Sequence, residues 1–367
     1  MAEANPGGRR RRGPRASGGY DGAGSRVTLQ DVADRAGVSL TTASRVVSEG
    51  PRRVGPVMAG RVNQAVAELG YTANLQARAV ATGQSSTVGV VVHDIADPYF
   101  SSIAAGLIEV ADARQLLVCM SSTTSREAGE RGYVSLMRAQ RARAVILVGS
   151  RSGNRAARDA LRREIGAFVA TGGRVVCVGQ DLLGVDTIMP ENAAAADALA
   201  RALAALGHRS FAVLAGPPGL LTARDRTEGF RAGLAAWSVH LDQSRVIHGP
   251  FTRDGGYEAM SAVLAAGGQL PDCVFAVNDV MAVGALARLR AEGIPVPAGM
   301  AVAGFDDILT LRDIYPPLTT VRLPLKRMGE MAANLVLSDA PPGRPRIIPV
   351  PGEVILRDST LPRPPAG

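Results

Sequence analysis

The sequence predicts a multidomain chain: an all-α helix-turn-helix headpiece followed by a bilobed α/β core of two Rossmann-like parallel-sheet subdomains. Three observations predict it. Residues 27–48, VTLQDVADRAGVSLTTASRVVS, have the apolar spacing of two short helices meeting at a glycine. From Val88 onward, short apolar runs alternate with helical stretches, the pattern of parallel sheets covered on both faces. That second region, roughly 280 residues, exceeds the usual size of one core, so it is expected to split into two lobes with a cleft at the carboxyl ends of the strands.

In the headpiece, Thr28 is placed to cap a first helix whose Leu29, Val32, Ala33 and Ala36 share one face, and Asp31 can answer the cap reciprocally. Gly37 suits the left-handed conformation that ends this helix. Val38 plugs the angle, and Ser39 caps a second helix with an inner face of Ala43, Val46 and Val47. The outer face is then Leu40, Thr41, Ser44 and Arg45. On a helix lying in a major groove these residues reach base edges, whereas Thr28, Ser39, Thr42 and Ser48 suit phosphate contacts. Arg45 is the expected base reader, since a guanidinium grips guanine through two parallel bonds, while Leu40 offers only a methyl contact to thymine. Taken alone, the segment also fits an ordinary helical hairpin with solvated polar faces. Pro56 opens a third helix through Val57, Val62, Val66 and Leu69, closed by Gly70 and Tyr71.

Composition points to the same partner. Residues 1–83 hold twelve arginines against six acids, so most of the chain's net charge of +8 sits at the front. A basic front attracts phosphate at long range and makes binding steeply salt-dependent. Residues 1–26, with Arg9 to Arg12 and Arg15 among Gly, Pro and Ala, read as a disordered basic tail, either without a defined role or a non-specific aid to DNA binding. This tail lacks the apolar stretch of a secretion signal and no run reaches membrane-spanning length, so a cytoplasmic protein without a membrane partner is expected. Cys119, Cys177 and Cys273 each sit in an apolar strand-like run and suit small hydrophobes in a reducing compartment. With no close Cys or His spacing, neither a metal nor a cofactor is expected.

In the core, strands are predicted for VGVVV from 88, LLVCM from 116, AVILV from 144 and RVVCVG from 174, with helices near 99–114, 126–140 and 154–166. A second set follows: SFAVLAG from 210, a helix near 222–237, CVFAVN from 273, a helix at 279–292 and MAVAGFD from 300.

After the third helix comes NLQARAVATGQSS, residues 74–86. With it, the chain resembles the LacI family of bacterial transcription regulators over residues 27 to about 357. The resemblance implies a homodimer on a near-palindromic operator in double-stranded DNA, a core like the periplasmic sugar-binding proteins, and a small-molecule effector, possibly a sugar, between the lobes. It implies a DNA-binding domain at 27–83 with a hinge helix at about 74–82, in which Asn74 and Val80 meet DNA. The core is then 84–357, one lobe at about 88–188 and 322–340, the other at about 189–320 and 343–357, with crossing strands near 188, 321 and 340. A disordered tail occupies 358–367. Three departures stand out: Val80 replaces the usual leucine wedge, the loop at 50–53 is one residue longer, and Gly55 replaces a serine cap.

Strand-end loops supply the effector candidates that the resemblance implies. Asp97, Tyr99 and Phe100 of DIADPYF offer a wall and a hydrogen bond, or plain lobe packing. Arg226 of TARDRTEGF matches an arginine that faces the cleft, the alternative being a surface arginine with a local acid. Phe251 lies where the family stacks an aromatic on a sugar or base. Asn278 faces the ligand, with Asp279 as a simple cap, and Asp306 of GFDD accepts paired hydroxyls, with Asp307 as the structural alternative. Where the family often reads Asp-Arg, this chain has Gly179 and Gln180, an effector wall with a neutral amide. Arg226, Asp306 and Asp97 together fit a polyhydroxylated neutral molecule.

The function expected is a sequence-specific transcriptional regulator, a repressor whose operator affinity a small molecule controls. The alternatives are a ligand-independent DNA-binding protein and a solute receptor with a vestigial headpiece. An enzyme is not expected, because GPPG at 216–219 is interrupted by prolines and lacks a phosphate-loop fingerprint. The first-lobe helix near 99–114 carries Ile103, Leu107 and Val110 on one stripe, facing either its own sheet or a dimer mate. The carboxyl end has no heptads, so a tetramerising coiled coil is not expected.

Overall fold

The computed structural model describes residues 27–49, 54–72, 85–123, 126–338 and 343–362, without the side chains of 48, 49, 126 and 127. The basic tail, the loop at 50–53, Asn74, Val80 and the hinge helix fall outside the described residues, as does the side chain of Ser48. Two compact units divide the chain, Met1–Arg78 and Ala79–Gly367.

The first unit holds three helices: α1 (Leu29–Ala36), α2 (Leu40–Glu49) and α3 (Pro56–Leu69). Each has a physical start or stop. Thr28 and Asp31 form a reciprocal capping box on α1: the Thr28 amide donates to Asp31 Oδ2 at 2.7 Å, and the Asp31 amide donates to Thr28 Oγ1 at 3.3 Å. Gly37, at φ +62°, ends α1 in the left-handed conformation, which sends the chain off at the angle α2 needs. Val32, Ala33, Ala36, Ala43, Val46, Ala59, Val62 and Ala65 make the small core between the three helices. Val57, in the first turn of α3, is 76% exposed, and the buried face of the helix is Ala59, Val62 and Ala65.

The second unit is two α/β lobes. In the first, β1 (Thr87–Val92), β2 (Leu117–Ser122), β3 (Ala144–Val148), β4 (Arg174–Val178), β5 (Asp186–Pro190) and β11 (Ile347–Val350) form a parallel sheet in the order β11-β5-β4-β3-β1-β2. Both faces are covered, because a strand alternates its side chains. Val90, Ile146 and Val176 pack with Ile103 and Leu107 of α4 (Pro98–Asp112) and Met328 of α11 (Leu325–Val336). Val91, Val145, Leu147 and Cys177 pack with Val134 and Met137 of α5 (Arg126–Ala139) and Leu161, Ile165 and Phe168 of α6 (Arg155–Ala170). Ile103 and Leu107 thus face their own sheet.

The second lobe has a four-stranded parallel sheet in the order β7-β6-β8-β9: β6 (Phe211–Leu214), β7 (Val246–Ile247), β8 (Cys273–Ala276) and β9 (Ala301–Ala303). Its helices are α7 (Asn192–Ala205), α8 (Leu221–Ala235), α9 (Arg253–Ala265) and α10 (Asp279–Ala291). Between the lobes, β10 (Thr320–Arg322) and β12 (Glu353–Ile355) pair antiparallel.

Three expectations need correction. The run 347–350, expected in the second lobe, is β11 of the first-lobe sheet, where its backbone pairs with β5 from Ile347 opposite Thr187 to Val350 opposite Pro190. The third crossing therefore lies between β11 and β12, not near 340. The expected disordered tail begins as a 3-10 turn at Asp358–Thr360, with Ser359 0% and Thr360 2% exposed. Ser359 Oγ donates to Val302 O at 2.6 Å and accepts from the Thr319 amide at 2.8 Å, tying the segment under β9.

Candidate functional site

Two faces carry the candidate residues. On the three-helix unit, Leu40, Thr41 and Arg45 of α2 are exposed and Ser44 is half-buried, so these side chains share the outer face. Leu40 is 46% exposed, an apolar side chain left in water. Ser39 caps α2: its Oγ accepts from the Thr42 amide at 3.1 Å and lies 2.9 Å from Thr42 Oγ1. Thr28 and Ser39 therefore use their hydroxyls on helix ends, where the amino-terminal dipole also favours a phosphate.

The second face is a cavity of about 240 Å³ between the lobes. Four helices begin at its wall: α4 after Asp97, α8 after Leu220, α9 after Thr252 and α10 after Asn278. Three of those positions are side-chain caps. Asp97 Oδ1 accepts from the Tyr99 amide at 2.9 Å, Thr252 Oγ1 from the Gly255 amide at 2.9 Å and Asn278 Oδ1 from the Met281 amide at 3.0 Å. Capping uses only the oxygen of Asn278, so its amide nitrogen stays available as a donor. The α10 cap is thus Asn278 rather than Asp279.

Arg226, on α8, is 2% exposed and held by three bonds: Nε to Asn192 Oδ1 at 2.8 Å, Nη1 to Val277 O at 2.7 Å and Nη2 to Asp306 Oδ1 at 2.8 Å. Its guanidinium lies 3.8 Å from the centre of the Phe305 ring. A guanidinium has five N–H donors, so two remain for a molecule in the cavity. Asp306 sits at φ +118°, a region that L side chains rarely adopt. The crossing strand keeps it there: the Asp306 amide donates to Val321 O at 2.8 Å, and the Leu323 amide donates to Asp306 O at 3.3 Å. Burial pushes the Asp306 carboxyl up, against the pull of Arg226. Burial raises Asp97 as well, and raises the hydroxyl of Tyr99.

The acids beside the site are structural. Asp279, 0% exposed, accepts the Ile308 amide at 3.0 Å and Thr320 Oγ1 at 2.7 Å, and burial pushes its carboxyl up to about 6. Asp307 accepts from Arg322 Nε and Arg357 Nη2, both at 2.7 Å. Both acids therefore tie the floor of the cavity to the crossing strands.

Asp97, Tyr99, Phe100, Arg226, Phe251, Asn278 and Asp306 all line the cavity. Gln180 does not. Its Oε1 accepts the Arg151 amide at 2.9 Å and its Nε2 donates to Thr222 Oγ1 at 2.8 Å, so it joins a first-lobe loop to a second-lobe helix behind the wall. A neutral amide can accept and donate at once in this way, which an ionised carboxylate or a guanidinium cannot. Gly179 permits the arrangement: at φ +153°, an added Cβ would meet Gly149 O at 2.5 Å. Other bonds join the same two loops. The Gly153 amide donates to Gly219 O and the Leu221 amide to Arg151 O, both at 3.1 Å, and the Thr222 amide donates to Ser150 Oγ at 3.0 Å. Under this latch the Arg151 and Glu130 side chains, 1% and 3% exposed, form a two-pronged ion pair. Sequence reasoning missed the lining residues His93 and Ser150, which follow the carboxyl ends of β1 and β3, the signal that finds them, and Thr222, the second residue of α8.

A helix-turn-helix in a three-helix unit and a two-lobe cleft with convergent polar groups define a class, DNA-binding regulators with a ligand-binding core. Residues 28–74 match the model of bacterial regulatory proteins of the lacI family, and residues 200–360 match a periplasmic binding protein-like domain. The chain is 34% identical to the HTH-type transcriptional regulator GalS of Salmonella typhimurium, over 86% of this chain and 90% of that protein. It is similar in structure to the lac repressor dimer bound to operator and the anti-inducer ONPF, with a TM-score of 0.77 and 27% identity over 92% of this chain and all of that one. A complex of the transcriptional regulator CelR with cellobiose matches 91% of this chain and all of its own, with a TM-score of 0.65 and 27% identity. The chain belongs to the lacI family of bacterial regulatory proteins. It is a helix-turn-helix transcriptional regulator of the ligand-controlled repressor type.

Proposed function

We propose that the protein is a cytoplasmic repressor that binds a near-palindromic operator as a homodimer and changes its grip when a neutral, monosaccharide-sized polyol enters the cleft. The observation that carries the effector class is Arg226: it is buried, already neutralised by Asp306 and pinned by three bonds, yet keeps two donors for the cavity. Asp94 and Asp97 add negative charge to the wall, which disfavours phosphate esters. A volume of about 240 Å³ lies below the usual ~300 to 1,000 Å³ of drug-sized pockets and favours one sugar ring over two. Asp97, Tyr99, Phe100, Phe251, Asn278 and Asp306 complete the contacts, and Gln180 supports the wall. The chemistry is binding, with no reaction step.

Coupling runs through Asp306. A ligand on its carboxylate acts on a residue whose backbone is bonded to β10, so lobe closure is felt at the crossing strands. Differential affinity for open and closed states worth about 1 to 3 kcal/mol changes operator affinity roughly five- to 150-fold. At the DNA, Arg45 reads a base, Leu40, Thr41 and Ser44 add groove contacts, and Thr28, Ser39, Thr42 and Ser48 position the helix on phosphates. Asn74 and Val80 extend the contact from the hinge.

Isothermal titration against neutral monosaccharides, disaccharides and sugar phosphates tests the cleft reading; binding only by nucleobases or organic acids rejects it. Operator selection with the wild type and Arg45→Ala tests the headpiece. The variant is expected to lose discrimination at one position per half-site, and an unchanged consensus rejects that role.

A further inference from the structure

The start of α8 in the second lobe is completed by the first. Its N-cap residue, Leu220, is apolar and cannot cap it, yet the first two helical amides are paired across the lobes. The Leu221 amide donates to Arg151 O at 3.1 Å and the Thr222 amide to Ser150 Oγ at 3.0 Å. Ser152 and Leu220 face each other in a single antiparallel bridge, flanked by the bond from the Gly153 amide to Gly219 O at 3.1 Å. Gln180 Nε2 adds another crossing bond, to Thr222 Oγ1 at 2.8 Å. Ser150, Leu220 and Thr222 also line the effector cavity, so this contact sits on its wall.

Both sides of the contact are stiff. The buried Arg151 side chain runs inward to both oxygens of Glu130 and donates from Nη2 to Gly149 O at 3.2 Å, which leaves its backbone to meet α8. Gln180 Oε1 fixes that backbone by accepting the Arg151 amide at 2.9 Å. On the other side, Pro217 and Pro218 each fix a φ angle, and the Leu220 amide donates to Pro217 O at 3.1 Å to close the turn into the helix. Surfaces that are already ordered lose little freedom on meeting, so the bonds between them keep most of their worth. Arg226 lies one turn beyond Thr222, which puts the contact and the grip on a cleft ligand on the same helix.

We propose that this contact is a latch that holds the two lobes shut through the chain's own bonds, with Gln180 as its hub, so that a molecule in the cleft shifts an equilibrium the latch already biases. Gln180 is a positioning residue: it acts on the cleft through Arg151 and Thr222. The latch is reversible, because each group that parts on opening is met by water. Its consequence for regulation rests on the cavity being the effector site. Its existence does not.

Amide hydrogen exchange tests the latch on the full chain without DNA or sugar. The proteins are the wild type, Gln180→Met, Ser150→Ala, and a triple variant, Gln180→Met with Ser152→Cys and Leu220→Cys. The amides of Gly153 and Leu221 cross the contact from opposite lobes, so one opening event breaks both bonds. Both amides are expected to exchange faster by the same factor, about tenfold in Gln180→Met and about fivefold in Ser150→Ala. The amide of Ile146, inside the buried strand β3, is expected to keep its rate. Positions 152 and 220 form a non-hydrogen-bonded pair, whose Cα atoms lie about 4.5 Å apart, within reach of a disulfide. Oxidising the triple variant is therefore expected to restore slow exchange at Gly153 and Leu221, and reducing it to release them. Wild-type amides that exchange like an unbonded loop overturn the proposal, as does a triple variant that stays fast when oxidised. Unequal acceleration of the two amides, equal acceleration at Ile146, or no acceleration in either single variant also overturns it. None of these readouts involves a ligand, so a failed latch and a failed effector assignment are told apart.

Discussion

Replacing Arg226 with methionine tests the centre of the cleft most directly. The change removes three hydrogen bonds, of 2.7 to 2.8 Å, to Asn192, Val277 and Asp306, and the cation over Phe305 at 3.8 Å. Removing one partner of a buried ion pair costs about 3 to 5 kcal/mol, because the other charge stays behind without compensation. Methionine refills the space above Phe305 and makes its own sulfur–aromatic contact, which places the expected loss near the lower end, about 3 kcal/mol. For the Ala79–Gly367 unit, with an unfolding entropy of about 2.1 cal/mol/K per residue, each kcal/mol lowers Tm by roughly 1.6 °C, so Tm is expected to fall by about 5 °C. The loss also has a pH signature. Without the guanidinium, Asp306 is a buried carboxyl whose folded pKa lies further above its unfolded value. Stability from such a group is full at low pH and lost as pH rises through the folded pKa, so the Tm gap between wild type and variant narrows from pH 8 to pH 5. The double variant Arg226→Met, Asp306→Asn removes the orphaned charge and recovers part of the loss. Calorimetric melts of the three proteins at both pH values check this. A single variant that melts within about 2 °C of wild type, or a double variant no more stable than the single, refutes the reasoning.

Other predictions follow from the same geometry. Asp279 has a folded pKa raised to about 6 by burial, so the Tm advantage of wild type over Asp279→Asn shrinks as pH rises from about 4 to about 7; a difference that grows instead contradicts the assignment. Thr222→Val deletes the acceptor of Gln180 Nε2 and loosens the loop latch by about 1 kcal/mol, read as roughly fivefold weaker effector binding by titration calorimetry; unchanged affinity means the latch plays no part in closure. Thr28→Val breaks the capping box at a cost of about 1 kcal/mol, so amide exchange in α1 accelerates about fivefold, and unchanged protection counts against the cap.

Much of the headpiece was legible because its signals are local. Thr28, Asp31, Gly37 and Ser39 act within a few residues of themselves, and the buried stripe Val32, Ala33, Ala36 follows from helical spacing alone. The strands β1, β3, β4, β6 and β8 were readable as apolar runs between helices. The run IIPV at 347–350 was not assignable to a lobe, since its membership is decided by backbone pairing with β5, some 160 residues away.

At the cleft, sequence position placed residues at strand ends but did not orient them. Gln180 lies at the right loop, and its amide turns away from the cavity because Arg151 N and Thr222 Oγ1 together satisfy it. The Arg151–Glu130 pair had no sequence signal: an arginine in a loop and a glutamate on a helix 21 residues earlier look like two surface charges until the fold buries both.

By itself the sequence determined the three headpiece helices and the alternating strands and helices from β1 to β4 and at β6, β8 and β9, because caps, glycine turns and apolar periodicity act through neighbouring residues. Tertiary structure decided which lobe β11 joins and which carboxylate caps a helix and which pairs with Arg226, because those outcomes depend on burial and on partners distant in the chain. Burial is the physical reason for the division: it gives a charge or an amide its meaning, and it exists only once the chain has closed on itself.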